Sequence, residues 1–164
     1  MMTFDSSILP LLLLLPFVGG LIAWQAERIN QHAPRWIASV TMALFLAGCC
    51  LLWLQGDFRT ADVGAVLGGT PVWMLEYQAD WIPRFGISFH LGLDGLSLLM
   101  LLLTGFLGLL AVISSWREID RHVGFFYLNL LFNIGGVVGV FLAIDMLLYF
   151  FFWEMMLVPM YFLI

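Results

Sequence analysis

Five apolar stretches limit the fold of this chain more than any other feature. They span residues 8–24, 36–54, 91–116, 125–144 and 146–164. A bilayer core about 30 Å thick is crossed by about 20 helical residues, and each stretch has that length or nearly so. Inside hydrocarbon the backbone must bond to itself, so each stretch is expected to be an α-helix. The expected fold class is therefore all-α integral membrane, with about five transmembrane helices. Composition supports this: 63% of the residues are hydrophobic and 10% are charged, whereas a soluble domain is about 25% charged. So few charges cannot coat a globular surface. The lipid bilayer is the first partner the sequence implies.

The first stretch reads as a mature helix and not a secretory leader. Asp5 is the only charge before it, and Ala23-Trp24-Gln25-Ala26 offers no small-x-small cleavage site. Pro10, Pro16 and the Gly19-Gly20 pair predict a bend or a closely packed neighbour. Segment 25–35 carries Arg28, His32 and Arg35, and segment 117–124 carries Arg117, Arg121 and His122. Segment 55–90 is longer and sets Asp57, Asp62, Glu76 and Asp80 against Arg59 and Arg84. Gly68-Gly69, Pro71 and Pro83 punctuate it. Trp73, Tyr77 and Trp81 alternate there with polar residues, which points to an ordered interfacial segment with a short strand. The two short segments share one side of the membrane and hold four of the six arginines. The positive-inside rule places that side in the cytoplasm, with the N-terminus and the long loop in the periplasm. The last stretch reaches Ile164 with no flanking charge or interfacial anchor, so the sequence is expected to continue beyond it.

Charge also excludes functions. There is no lysine, acids outnumber arginines, and the net charge is −5. A nucleic-acid partner is excluded, because phosphates call for clustered basic residues. Cys49 and Cys50 are adjacent within an apolar stretch. They provide neither a disulfide framework nor a metal spacing, and no metal site is expected.

Glu154 is the leading candidate for chemistry. Its helix is expected to start near Asp145, whose side chain can cap it. Nine residues at about 1.5 Å each put Glu154 roughly 13–14 Å deep, near the middle of the core. An ionised carboxylate there needs a partner or water, and such residues mark ion pathways. The alternative is a protonated acid bonded to a neighbouring helix. Pro159 removes a backbone donor one turn further on and frees a carbonyl, either loosening the helix near the carboxyl or simply kinking it. Asp94, Ser97, Thr104 and Gly108 form a polar and small stripe on the third helix; Asp94 lies near its periplasmic end, as a cap or loop anchor or in an ion path. Asn129 and Asn133 are four apart on the fourth helix and share a face. They can bond neighbouring helices or line a water path, and Asn133 is the one near mid-depth. Gly135 and Gly139 make a small-xxx-small pair. His32, His90 and His122 read as solvated loop or interface residues.

The run Trp153-Glu154-Met155-Met156-Leu157-Val158-Pro159-Met160-Tyr161 resembles subunit M, the antiporter-like subunit family of bacterial NADH:quinone oxidoreductase (respiratory complex I), whose mitochondrial counterpart is chain 4. Trp81-Ile82-Pro83-Arg84-Phe85-Gly86-Ile87, Asp94-Gly95-Leu96-Ser97-Leu98-Leu99-Met100 and Pro34-Arg35-Trp36-Ile37-Ala38 are further matches, and the likeness runs along the whole chain. The resemblance implies the start of a fourteen-helix subunit with two inverted five-helix repeats. It divides the chain into helices 1–3 with their periplasmic loop (residues 1–123) and the truncated start of the proton-translocating domain (124–164). It makes Glu154 a proton-transfer carboxylate that works with a lysine on a broken later helix, absent here. It implies an enzyme subunit in the bacterial inner membrane, beside other membrane-arm subunits and above all the neighbouring antiporter-like ones. No cofactor is expected in this chain; FMN, iron–sulfur clusters and quinone bind elsewhere in the complex. Alone, the chain is expected to be inactive. The equivalent subunit of a cation/proton antiporter complex or a membrane-bound hydrogenase is the alternative, followed by a passive membrane scaffold.

Overall fold

A computed structural model describes residues 7–30, 32–55, 73–82 and 87–164. Asp5, Asp57, Arg59, Asp62, Gly68-Gly69, Pro71, Pro83 and Arg84 lie outside the described residues. The elements are α1 (Ile8–Ala26), α2 (Ala33–Gln55), β1 (Leu75–Ile82), β2 (Ile87–Leu93), α3 (Gly95–Ser114), α4 (Val123–Leu142) and α5 (Met146–Leu163). Each of the five helices is long and apolar enough to cross a membrane. The all-α membrane class holds, with a β-hairpin added at one end.

α4 is the centre of the bundle. It packs most extensively on α1 and α5 and also meets α2 and α3. α1 packs on α2, and α2 on α3. Tyr127, Phe45, Met42 and Leu131 are fully buried at these contacts. Gly19 and Gly20 act as the sequence predicts, each toward a different neighbour. A side chain on Gly19 would collide with Thr41 of α2, and one on Gly20 would press on Leu131 and the Leu128 carbonyl of α4 at 3.3 Å. α1 is thus wedged between α2 and α4, as close helix packing in membranes requires.

Most helix ends shift from expectation by one to four residues, and two of the shifts share a reason. The third apolar stretch was expected to be helical from 91, but Leu91 and Leu93 belong to β2 and α3 begins at Gly95. The fourth was expected to run to 144, but α4 stops at Leu142 and Ala143 bridges to Leu91 in antiparallel fashion. In both places the residues are apolar enough for a helix, and pairing with a strand satisfies their backbone instead.

The expected short strand is half of a hairpin. β1 and β2 pair antiparallel with Tyr77 opposite Leu91, Gln78 opposite His90 and Ala79 opposite Phe89, and the register shifts between Asp80 and Ile82. Side chains alternate across a strand. Leu75, Tyr77, Ala79, Phe89, Leu91 and Leu93 therefore share one face, and Glu76, Gln78, Asp80, Ser88 and His90 share the other. Leu91 and Leu93 are fully buried, so the first face covers the end of the bundle.

Candidate functional site

α5 owes its place to one face. Leu148, Phe152 and Pro159 are its buried residues. The approach to α4 is close because Gly136 and Gly139 lack side chains: a Cβ on Gly139 would strike the Phe152 ring, and one on Gly136 would strike Met156. Gly135 turns elsewhere, toward Phe17 of α1. The predicted Gly135/Gly139 pair therefore serves two partners.

Glu154 is the ninth of the 18 residues of α5. At 3.6 residues per turn it lies about 140° round the helix from the buried face. Its side chain is exposed, and so are Phe150, Phe151, Leu157 and Val158 one turn to either side. Among the described residues, no hydrogen bond or ion pair reaches its carboxyl. Pro159 lies on the buried face, away from Glu154. The carbonyl it frees belongs to Met155, which lies partly buried against the core.

The remaining polar candidates divide between caps and packing. Asp145 accepts from the Leu147 amide at 2.8 Å and caps α5, as the sequence predicts. Asp94 accepts from the Ser97 amide at 2.7 Å and caps α3. Thr104 donates its hydroxyl to the Met100 carbonyl at 2.7 Å, and Gly108 faces Met42 and Ile134; the α3 stripe is turned into the bundle. Asn129 is buried and donates to the Phe125 carbonyl of its own helix at 2.8 Å. Asn133, on the same face, is half-buried. Among the described residues neither asparagine bonds another helix.

His90 departs from the solvated reading. It lies in β2 with its Nε2 2.5 Å from the Glu76 carboxylate. The two residues are diagonal neighbours on the polar face of the hairpin, a geometry within reach of long side chains. Its carbonyl accepts from the Ile144 amide at 3.0 Å. β2 thus joins the corner between α4 and α5, and Trp81 of β1 meets Phe151 of α5 edge to face at 5.8 Å. Sequence reasoning missed this junction. The alternation Phe89-His90-Leu91-Gly92-Leu93 signals the strand, but nothing local names its third partner.

At the opposite end Arg35 is buried and joins the two short connections. Its guanidinium donates to the Ile119 carbonyl at 2.8 Å, pairs with Asp120 at 3.4 Å and contacts His32 Nδ1 at 3.2 Å. Trp36 and Trp116 pack edge to face beside it at 5.2 Å. Cys49 is buried, Cys50 is exposed, and both are free thiols. Among the described residues no cluster of His, Cys, Asp and Glu has the makings of a metal site.

No family model matches the chain. Its backbone is similar to a chain of the membrane-bound sulfane sulfur reductase, an archaeal respiratory membrane complex, with a TM-score of 0.72 over 96% of this chain and 30% of that one at 16% identity. The likeness is one of fold and defines the class: an α-helical bundle of membrane-length helices. Sequence similarity goes further. The chain is 59% identical over 157 residues to NADH-quinone oxidoreductase subunit M of Escherichia coli K12 and 57% identical to that of Pseudomonas aeruginosa. Each alignment covers 96% of this chain and 30% of the relative, so the chain spans about 30% of the length of the curated relatives it matches. The chain belongs to the NADH-quinone oxidoreductase subunit M family.

Proposed function

We propose that in the complete subunit Glu154 is a proton-carrying carboxyl of the membrane arm of NADH-quinone oxidoreductase, coupling NADH oxidation and quinone reduction to proton translocation. One observation carries this reading. The carboxyl stands at the middle of a membrane-length helix and is turned away from the helix that supports it. Hydrocarbon disfavours the ionised form, and a cation placed against that face favours it. A partner whose charge moves, or which exchanges its own proton, therefore drives Glu154 between a proton-holding and a proton-releasing state. The family resemblance implies a lysine in that role, on a helix outside this chain. The relatives are about three times as long as the part matched here, which leaves ample chain to cover the outer face of α5.

The same reading sets orientation and company. The described arginines Arg28, Arg35, Arg117 and Arg121 all flank the end opposite the hairpin, which we assign to the cytoplasm. The hairpin and the start of α1 then face the periplasm of a bacterial inner membrane. The other membrane-arm subunits, especially the neighbouring antiporter-like ones, are the partners. The flavin, iron–sulfur clusters and quinone sit elsewhere in the complex.

Glu154→Gln keeps the size and hydrogen bonding of the side chain but cannot carry a proton. In the complete subunit within its complex it should assemble normally on native gels. NADH-driven quinone reduction coupled to proton uptake in vesicles should fall by about a hundredfold or more, the low end of what a positioned proton-transfer group contributes. Glu154→Asp should retain more activity than Gln. Wild-type pumping by an assembled Gln variant would make the residue structural and the subunit, at this position, a scaffold.

A further inference from the structure

We propose that the β-hairpin is a positioning device for Glu154, and that Gly92 is the residue that lets it grip the corner between α4 and α5. The inference rests on the proton-carrying reading of Glu154 and adds what holds that carboxyl in place.

α5 has few supports. It packs on α4 and meets β2, while most of its surface is exposed. A helix held along one narrow face can slide and turn on that face unless its end is fixed. The end is fixed by β2. Leu91 and Ala143 form an antiparallel bridge, and the adjoining Ile144 amide donates to the His90 carbonyl at 3.0 Å. Ile144 falls on the same face of the sheet as His90 and Gly92. Its side chain occupies the space that a Gly92 side chain would fill: a Cβ there would strike the Ile144 Cδ1 atom, lie 2.9 Å from its Cγ1 and stand 3.0 Å from the Trp73 ring. The next residue, Asp145, caps α5. Trp81 adds a second point of contact on Phe151, one turn before Glu154. Backbone, cap and ring together set where α5 starts and which way it faces, and Glu154 follows about 14 Å along the axis.

The positioning role is tested by filling the space and then emptying it. In the complete subunit within its complex, Gly92→Ala should assemble yet lose proton uptake by up to about a hundredfold, the cost that a misplacement of about 1 Å can carry. The rate at which a membrane-soluble carbodiimide modifies Glu154, read by mass spectrometry, should change with it. Adding Ile144→Ala removes both colliding atoms and should restore pumping and labelling rate together. A Gly92→Ala complex that pumps at wild-type rate overturns the proposal, and so does an impaired one that Ile144→Ala fails to rescue. Should Gly92→Ala fail to assemble, Leu91→Cys with Ala143→Cys in a Cys49→Ser, Cys50→Ser background decides. The bridged pair is within disulfide reach, so the bond should form and pumping should be equal before and after reduction. Absence of the bond, or pumping that returns only on reduction, overturns a fixed grip. Glu154→Gln is measured in parallel. If it pumps normally, the reading of Glu154 itself fails; if it does not pump while Gly92→Ala does, only the positioning role fails.

Discussion

Asp94 and Asp145 show how little of a residue's role its type decides. Both carboxylates cap helix starts at the hairpin end, α3 and α5, and neither needs an ion path to explain it. Asp94→Ala and Asp145→Ala should each cost about 1 kcal/mol, visible as a lower unfolding temperature of the detergent-solubilised complex, with Asn in either place recovering most of the loss. The cap at Asp145 was legible because it precedes an apolar run directly. The asparagines were not. An amide within a helix can bond a neighbouring helix or the carbonyl four residues back, and spacing is the same in both cases; Asn129 takes the second course. Glu154 was legible as a mid-helix carboxyl from its distance to Asp145. Its outward direction was not, because that depends on where Gly136 and Gly139 bring α4.

At the scale of elements, all five helices were legible in the apolar stretches, and so was strand character around Trp73, Tyr77 and Trp81. The junction of β2 with Ala143 and Ile144 was not, since these residues are remote in sequence and equally suited to helix. The order of elements puts the segments after α1 and α3 at one end and the hairpin at the other. Single cysteines replacing Arg28 or Arg117, in a background without Cys49 and Cys50, should therefore react with an impermeant maleimide only from the cytoplasm. A cysteine replacing Asp80, exposed on β1, should react only from the periplasm. Arg28 and Asp80 variants labelled from the same side would contradict the assigned orientation.

At the scale of the whole molecule, exposed apolar surface has two destinations, lipid and protein, and a carboxyl distinguishes them. The outer face of α5 carries Glu154 among Phe150, Phe151, Leu157 and Val158. The outer face of α3 carries Leu103, Phe106, Leu107 and Leu110, which are exposed and wholly apolar. In the assembled complex, a membrane-soluble maleimide should label a cysteine at Val158 slowly if the face around Glu154 is covered by protein. Faster labelling at Val158 than at Leu107 would place Glu154 toward lipid and remove the basis for its proton-carrying role. The bridge between Leu91 and Ala143 has a further consequence, for the way the chain is made. β2 leaves the ribosome before α3 and α4, so the His90 carbonyl has no Ile144 amide to receive until both helices have been threaded through the membrane. Until then the edge of β2 is open and paired only with water. Closure of that edge thus reports that α4 has been inserted the right way round, and a chain with α4 inverted would carry Ile144 to the opposite leaflet and leave the hairpin unsealed.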